Sequence, residues 1–369
     1  MEFNFTSEIN DFIKILSLSA QKQNINLYFV GGIVRDNLLG LSIKDIDLIV
    51  DCDAIKFAKN LPDIIKFKSI HKDFGTVKIE YNNISIDIAS TRIEHYPYSG
   101  CLPVVDSIGV DIKDDYLRRD FSINSMYAKI ILENGKLKYK LIDFSDGIND
   151  IKNKTLTVLH NKSYIDDPTR ILRGIDFKYR FGFDFALQDK HLIEECTKNP
   201  LNANSSIDRF NSVLRKILNK DTFKEFIKTN CYKLIKDDDL NIDFDFIDKI
   251  NIEYDNDFYF YLIQNNNINK KTLNNDLELL KEFSKYSNSY LAYYFYKTKD
   301  ENVIKYLQIK NIKLFSSGSD ILNLGIKEGK IVGEILDNLL SEKIKSPNSF
   351  DSKEKELVWV SKKYILPQK

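Results

Sequence analysis

The stretch GGIVRDNLLGLSIKDIDLIV, residues 31–50, opens on a glycine pair and ends by setting Asp45 and Asp47 ahead of Leu48, Ile49 and Val50. Leu-Ile-Val is strand material, and a carboxylate buried in a strand without a partner is costly, so a cation must meet these acids. Side chains two apart on a strand share a face and lie about 6.6 Å apart along the backbone. Asp45 and Asp47 are therefore expected to project together, with Ile46 and Leu48 facing the opposite layer. Two acids converging in this way can ligate two magnesium ions, roughly 3.5–4 Å apart in two-metal sites. Taken alone, Asp-x-Asp also fits an exposed strand edge with solvated acids.

Working outward, NLYFV (26–30) reads as a short strand, Gly31-Gly32 as its turn and IVRDNLLG as a helix of about two turns. A helix N-terminus offers free N–H groups to an anion, and Arg35, one turn on, can add a bidentate contact to a phosphate. Taken alone, the glycine pair reads first as a tight turn and nothing more. Neither GxGxxG nor GxxxxGK[ST] occurs, which removes the Rossmann and P-loop fingerprints. GTVKIEY (75–81) and ISIDIAS (84–90), joined by Asn82-Asn83, predict a hairpin. In the second of these strands Ser85, Asp87 and Ala89 share a face, making Asp87 a third carboxylate; Lys78 and Glu80 read as a solvated face. Ser7 to Gln21 is an amphipathic helix, and from Pro168 onward the spacing is helical.

The 369 residues, 43% hydrophobic and 29% charged, describe a globular chain of two or more compact units. No apolar run is long enough to span a membrane, and MEFNFTSEIND lacks the features of a signal peptide, so a cytosolic setting is expected. Four scattered cysteines without CxxC spacing give neither a disulfide framework nor a zinc site. Formal charge is zero, so a nucleic-acid partner must be met by local patches of Lys and Arg.

Beyond these separate signals, Gly31-Gly32-Ile33-Val34-Arg35-Asp36, Leu38-Leu39-Gly40 and Asp45-Ile46-Asp47 together resemble the signature of class II tRNA nucleotidyltransferases and bacterial poly(A) polymerases. Further stretches follow in order. Arg92-Ile93-Glu94-His95-Tyr96 resembles the family's R-x-E-x-Y loop, Arg118 to Asn124 its RRDFTIN element, and Asp166 to Arg173 its EDPxRxLR element. Gly318-Ser319-Asp320 with Gly325, Gly329 and Gly333 resembles its tail element. Asp166 stands where the family usually has Glu, and Asp176 where an arginine is usual.

The resemblance implies an α+β protein: a small polymerase β-like nucleotidyltransferase head (1–145), then an all-helical neck with a base-reading motif (146–205), body (206–285) and tRNA-binding tail (286–369). It implies CMP and AMP addition from CTP and ATP to the 3′ end of tRNA. Asp45 and Asp47 would hold two Mg2+ ions and Asp87 would assist deprotonation of the RNA hydroxyl. Gly31, Gly32, Arg35 and Asp36 would seat the triphosphate, and Arg118 and Asp120, with Asn124 holding their loop, would meet ribose and phosphate. Asp167, Arg170 and Arg173 would read the base. Cytosine and adenine share an amino donor beside a ring-nitrogen acceptor, which one carboxylate and one arginine can recognise. On residue spacing alone, Asp167 is equally an N-cap and the arginines surface ion pairs. Enzymes adding only CC, enzymes adding only the terminal A, poly(A) polymerases and a catalytically dead RNA-binding scaffold are the rival readings.

Overall fold

The computed structural model describes residues 1–43 and 45–365, so the last four residues of the expected tail lie outside the described residues. The chain forms two compact units, Met1–Asp239 and Leu240–Lys369, and the boundary falls inside the segment expected as the body.

The first unit begins with α1 (Ser7–Lys22), whose start is capped by the Thr6 side chain on the Ile9 N–H. Then come β1 (Leu27–Val30), α2 (Gly32–Leu38), β2 (Asp47–Val50), α3 (Ala54–Lys59), β3 (Lys66–His71), β4 (Thr76–Tyr81) and β5 (Ile84–Ser90). A ribbon of β6 (Arg92–His95) and β7 (Val104–Ile108) precedes α4 (Ile112–Asp115), and β8 (Tyr127–Glu133) and β9 (Lys136–Ile142) complete the sheet. Strand order is β3-β4-β5-β2-β1-β8-β9, with the β2–β5 pair parallel. The predicted β4–β5 hairpin is present, and both turn asparagines, Asn82 and Asn83, adopt positive φ, as a two-residue hairpin turn requires.

Period-two alternation splits the sheet's side chains between two layers. Leu27, Phe29, Leu48, Val50, Ile86 and Ile88 pack with Phe12, Ile13 and Leu16 of α1 in the main core. Tyr28, Val30, Ile49 and Tyr127 form a smaller cluster on the other side with Ile112. Asp47 and Asp87 stand on this second face, and their positions bring it to the cleft described below.

Next follow α5 (Gly147–Asn153), β10 (Thr155–Leu156), α6 (Ser163–Asp166), α7 (Thr169–Phe181), β11 (Asp184–Phe185), α8 (Leu187–Thr197), α9 (Asn204–Ile217) and α10 (Lys220–Lys228). The segment expected to be all helical thus contains a parallel two-residue pairing, β10 with β11. Leu156 and Phe185 bury their side chains there, and strands so short carry no periodicity for a sequence to display.

The second unit is helical from Phe244 to Tyr364. Ile321, Ile335, Leu339, Phe350 and Val360 form a core against which Trp359 packs. Buried Glu356 accepts from the Phe315 and Ser316 N–H groups and from Lys343 Nζ at 2.7 Å. All four cysteines are free. Among the described residues no helix is long and apolar enough to cross a membrane.

Candidate active site

A cleft of about 620 Å³ opens in the first unit where the Asp47 face of the sheet meets α7. Gly31 sits at its edge with φ 76°, a conformation that favours glycine, and caps α2; its carbonyl accepts from the Val34 and Arg35 N–H groups. Asp47 and Asp87 are register partners on β2 and β5, so their Cα atoms stand about 4.8 Å apart, the spacing of neighbouring strands. Both line the cleft. Burial, followed by the charges of Asp87 and Asp45, pushes the Asp47 carboxyl up from its ordinary range.

The carboxylate geometry differs from expectation in two respects. Strand β2 starts at Asp47, so Asp45 lies ahead of it in irregular backbone and does not line the cleft, although its charge reaches Asp47. Both side chains reach solvent, which eases the desolvation problem that the sequence posed, but at Asp47 the surrounding protein still raises the carboxyl, so the problem persists there. Asp87 accepts from Lys78 Nζ at 3.0 Å, so Lys78, on a solvent-accessible face as expected, is also an ion-pair partner. Glu80 likewise pairs with Lys68 at 2.9 Å. Among the described residues, no three His, Cys, Asp or Glu side chains are gathered to enclose a metal ion. The donor set that remains, Asp47 on the cleft wall and Asp45 just ahead of it with a charge that raises the Asp47 carboxyl, fits magnesium, which typically takes one or two carboxylates and fills its other positions with water and phosphate.

Opposite the acids, α7 turns one face to the cleft: Arg170, Arg173, Asp176, Phe177 and Arg180 recur at helical spacing. Asp176, where an arginine was the expected residue, therefore sits between two cationic turns. In all, the cleft is lined by eight arginines and six carboxylates, so it is locally cationic although the chain is neutral.

Most of these arginines are held by protein. Arg35 is buried, donates from Nε and Nη2 to Asp36 Oδ1 (2.9 and 2.7 Å) and from Nη1 to Asn124 Oδ1 (2.6 Å), and lies over the Phe177 and Phe181 rings. Asp36 is outside the cleft lining and serves as that partner. Asn124 in turn donates to both Asp120 oxygens, and Asp120 Oδ2 lies 2.6 Å from Arg173 Nη2. Arg35, Asn124, Asp120 and Arg173 thus form one chain joining α2 to α7, with Asn124 holding its loop as expected. Arg118 and Arg119 both pair with Asp115, at 2.9 Å each, and Tyr127 Oη adds a third bond to the same carboxylate. Burial alone would raise the Asp115 carboxyl, but Arg119 and Arg118 hold it far below the usual range.

The proposed base readers are similarly engaged. Asp167 Oδ1 accepts from the Thr169 N–H and hydroxyl, while Arg209 of α9 bridges both oxygens at 2.9 and 2.7 Å. Burial opposes ionisation of this carboxyl, yet the Arg209 contact wins and lowers its pKa. Arg170 is buried and donates to Ser163, to Arg118 O (2.7 Å) and to Tyr96 Oη (3.4 Å). Truncating it would therefore remove these structural bonds along with any base contact. Even so, a carboxylate has about four lone-pair sites and a guanidinium five donors. Asp167 Oδ2 keeps acceptor capacity and Arg170 Nε–H keeps a donor, the pair that an amino group beside a ring nitrogen demands.

Several cleft residues escaped the sequence reading of site roles: Arg119, Asp115 beneath it, Arg180 and Arg209. The offsets of three and four from Asp115 to Arg118 and Arg119 are a helix-like pairing signal visible in the sequence. Arg209 carried none, being 42 residues from Asp167.

Residues 27–157 match the model of the poly A polymerase head domain. This part of the chain, about a third of its length, is similar to the poly A polymerase head domain. Over 175 residues, 47% of the chain, it is 40% identical to an A-adding tRNA nucleotidyltransferase of Geobacter sulfurreducens, covering 19% of that protein. Over 194 residues, 52% of the chain, it is 36% identical to an A-adding tRNA nucleotidyltransferase of Halalkalibacterium halodurans, covering 44% of that one. The matched region thus spans less than half the length of either relative. Across the whole chain, the structure superposes on an apo form of a CCA-adding enzyme with TM-score 0.71 at 25% identity, covering 96% of both chains. The matched residues supply Asp47 and Asp87, and α7 and α9, beyond the matched boundary, supply Arg170, Arg173, Arg180 and Arg209.

Proposed function

We propose that the protein is a nucleotidyltransferase that adds CMP and AMP from CTP and ATP to the 3′ end of tRNA, releasing pyrophosphate. The observation that carries this reading is the pair Asp47 and Asp87, in register inside the stretch similar to a poly A polymerase head domain and facing the arginine-lined side of α7. Asp45 and Asp47 would hold Mg2+; when bound, it supplies electrophilic polarisation of the phosphoryl oxygens. Gly31 and Gly32 leave room at the cleft edge for a triphosphate, and Arg173 and Arg180, partly open to solvent, meet its charge. Arg35 and Asp36 act by fixing the α2 turn, and Asn124 and Asp120 by tying it to Arg173. Asp167 and Arg170 read the base edge with their remaining acceptor and donor, and Arg118 supports Arg170 through its carbonyl. Four free thiols accord with a reducing, cytosolic setting.

A second reading, addition of the terminal A alone, is favoured by the names of the two relatives above, both A-adding. Incubating the protein with tRNAs ending at the discriminator base, at C and at CC, each with labelled CTP, ATP or UTP, separates the two. Incorporation of C onto the shorter ends and of A after CC supports full CCA addition. Incorporation confined to A after CC supports the second reading, and long A tails, or equal use of UTP, contradict both.

A further inference from the structure

Three neighbouring strands place Lys78, Asp87 and Asp47 in one row. Lys78 is the register partner of Asp87 across β4 and β5, and Asp87 that of Asp47 across β5 and β2. The Asp87 carboxylate thus has a cation on one flank and a carboxylate on the other, each about one strand spacing away. It pairs with the cation: Lys78 Nζ lies 3.0 Å from Asp87 Oδ2, with side-chain exposures of 41% and 49%. Among the described residues no cation is in ion-pair distance of Asp47, and no group of three acids, histidines or cysteines is placed to hold a metal ion. Coulomb attraction favours the Asp87 carboxylate on the Lys78 side of the row, although its charge still reaches Asp47.

We propose that Lys78 is a positioning residue that draws the Asp87 carboxylate away from Asp47, so that a divalent cation at Asp45 and Asp47 is held by two carboxylates rather than three. The inference rests on the metal-dependent reading above. Its chemical consequence is a site that grips a bare divalent cation weakly. Coordination positions stay open for phosphate oxygens and for the attacking hydroxyl. A third carboxylate would raise affinity for the bare ion and close one of those positions. A half-exposed ion pair contributes on the order of 0–1 kcal/mol to stability, so its removal leaves the fold intact.

The test uses the full chain, Mn2+ alone as probe, and the electron paramagnetic resonance signal of free Mn2+ as readout, with no nucleotide and no turnover. Lys78→Met is expected to bind Mn2+ about tenfold more tightly than wild type, Lys78→Arg to match wild type, and Lys78→Met with Asp87→Asn to lose the gain. Wild-type affinity in Lys78→Met overturns the proposal. So does a gain that persists in the Asp87→Asn background, because it would reflect the loss of a nearby positive charge rather than release of a ligand. Asp47→Asn separates the levels of failure: Mn2+ binding insensitive to it overturns the metal reading and this proposal together, whereas Asp47-dependent binding that ignores Lys78 overturns this proposal alone.

Discussion

Replacing Arg209 by Met keeps most of the side chain's volume and removes its charge and its forked donors. Both Asp167 oxygens lose their contact, and so do the loop carbonyls of Gly100 and Cys101, which accept from the same Nη1 at 3.2 and 3.4 Å. The Asp167 side chain is 9% exposed and that of Arg209 26%, so the pair is nearly desolvated at one end and wetter at the other. Breaking a buried ion pair costs about 3–5 kcal/mol; partial solvation at Arg209 and the two surviving Thr169 bonds place this case near the lower end, about 3 kcal/mol. For a unit of this size each kcal/mol moves Tm by about 2–4 °C, so a fall of roughly 6–12 °C is expected. Arg209→Lys, which keeps the charge but not the fork, should fall between. The pH dependence follows from the lowered pKa of Asp167: a depressed carboxyl contributes stability above its unfolded pKa and loses it as pH falls through its folded value. The gap between wild type and Arg209→Met should therefore be full at pH 6–7 and shrink below about pH 4. Urea unfolding across that range, combined with an Arg209→Met, Asp167→Asn double-mutant cycle, measures it. A Tm within 1 °C of wild type, or additive single effects in the cycle, would refute the reasoning.

Three further perturbations probe other parts of the structure. Asp189 of α8 is buried with Oδ2 unpartnered while Oδ1 accepts from the Val158 N–H and Tyr164 Oη; burial pushes its carboxyl up to about 6. That rise corresponds to about 3 kcal/mol against the ionised form at neutral pH, so Asp189→Asn should stabilise by about 1–2 kcal/mol at pH 7.5. Because the folded pKa is raised, wild-type stability from this group declines as pH climbs from about 4 to 6, and the variant's advantage should vanish toward pH 4 in denaturant titrations. Gly100 has φ 76°, and a Cβ there would come within 3.0 Å of Leu201 and Ser206 atoms; Gly100→Ala should cost about 1–3 kcal/mol and speed proteolysis between residues 96 and 103. Asp176→Arg adds a cation between Arg173 and Arg180, and should lower KM for ATP several-fold at low salt with the gain lost at about 0.5 M salt; an unchanged or raised KM would contradict the phosphate role of the α7 face.

Much of the head was legible because its signals are local. The glycine turn, the alternation in GTVKIEY and ISIDIAS, and the Asn-Asn corner each specify backbone geometry within a few residues, and β1, α2, β2, β4 and β5 appear where the pattern places them. Strands β8 and β9 went unassigned, although they form one flank of the sheet. The spacing that put Asp45 and Asp47 on one face presumed a strand that begins two residues before the observed one, and the sheet register, invisible in the sequence, decides that Asp87 rather than Asp45 lies beside Asp47. Residue identities named the arginines of the cleft but not their partners. That Arg35 closes on Asp36 and Asn124, and Asp167 on Arg209, depends on contacts between residues up to 89 positions apart, which no local period encodes. In the second unit, helical spacing sufficed to predict helices, while nothing in it marked where the first unit ends.

The central claim is that nucleotidyl transfer occurs at the acids in front of the arginine wall. Transfer of labelled AMP to a tRNA ending in CC, measured for wild type and Asp47→Asn alongside tRNA affinity by filter binding, tests it most directly. Loss of a metal-holding carboxylate should remove about 4 kcal/mol or more of transition-state stabilisation, a fall of at least about a thousandfold in rate, with RNA affinity kept within a few fold. Transfer by Asp47→Asn at the wild-type rate would contradict the account.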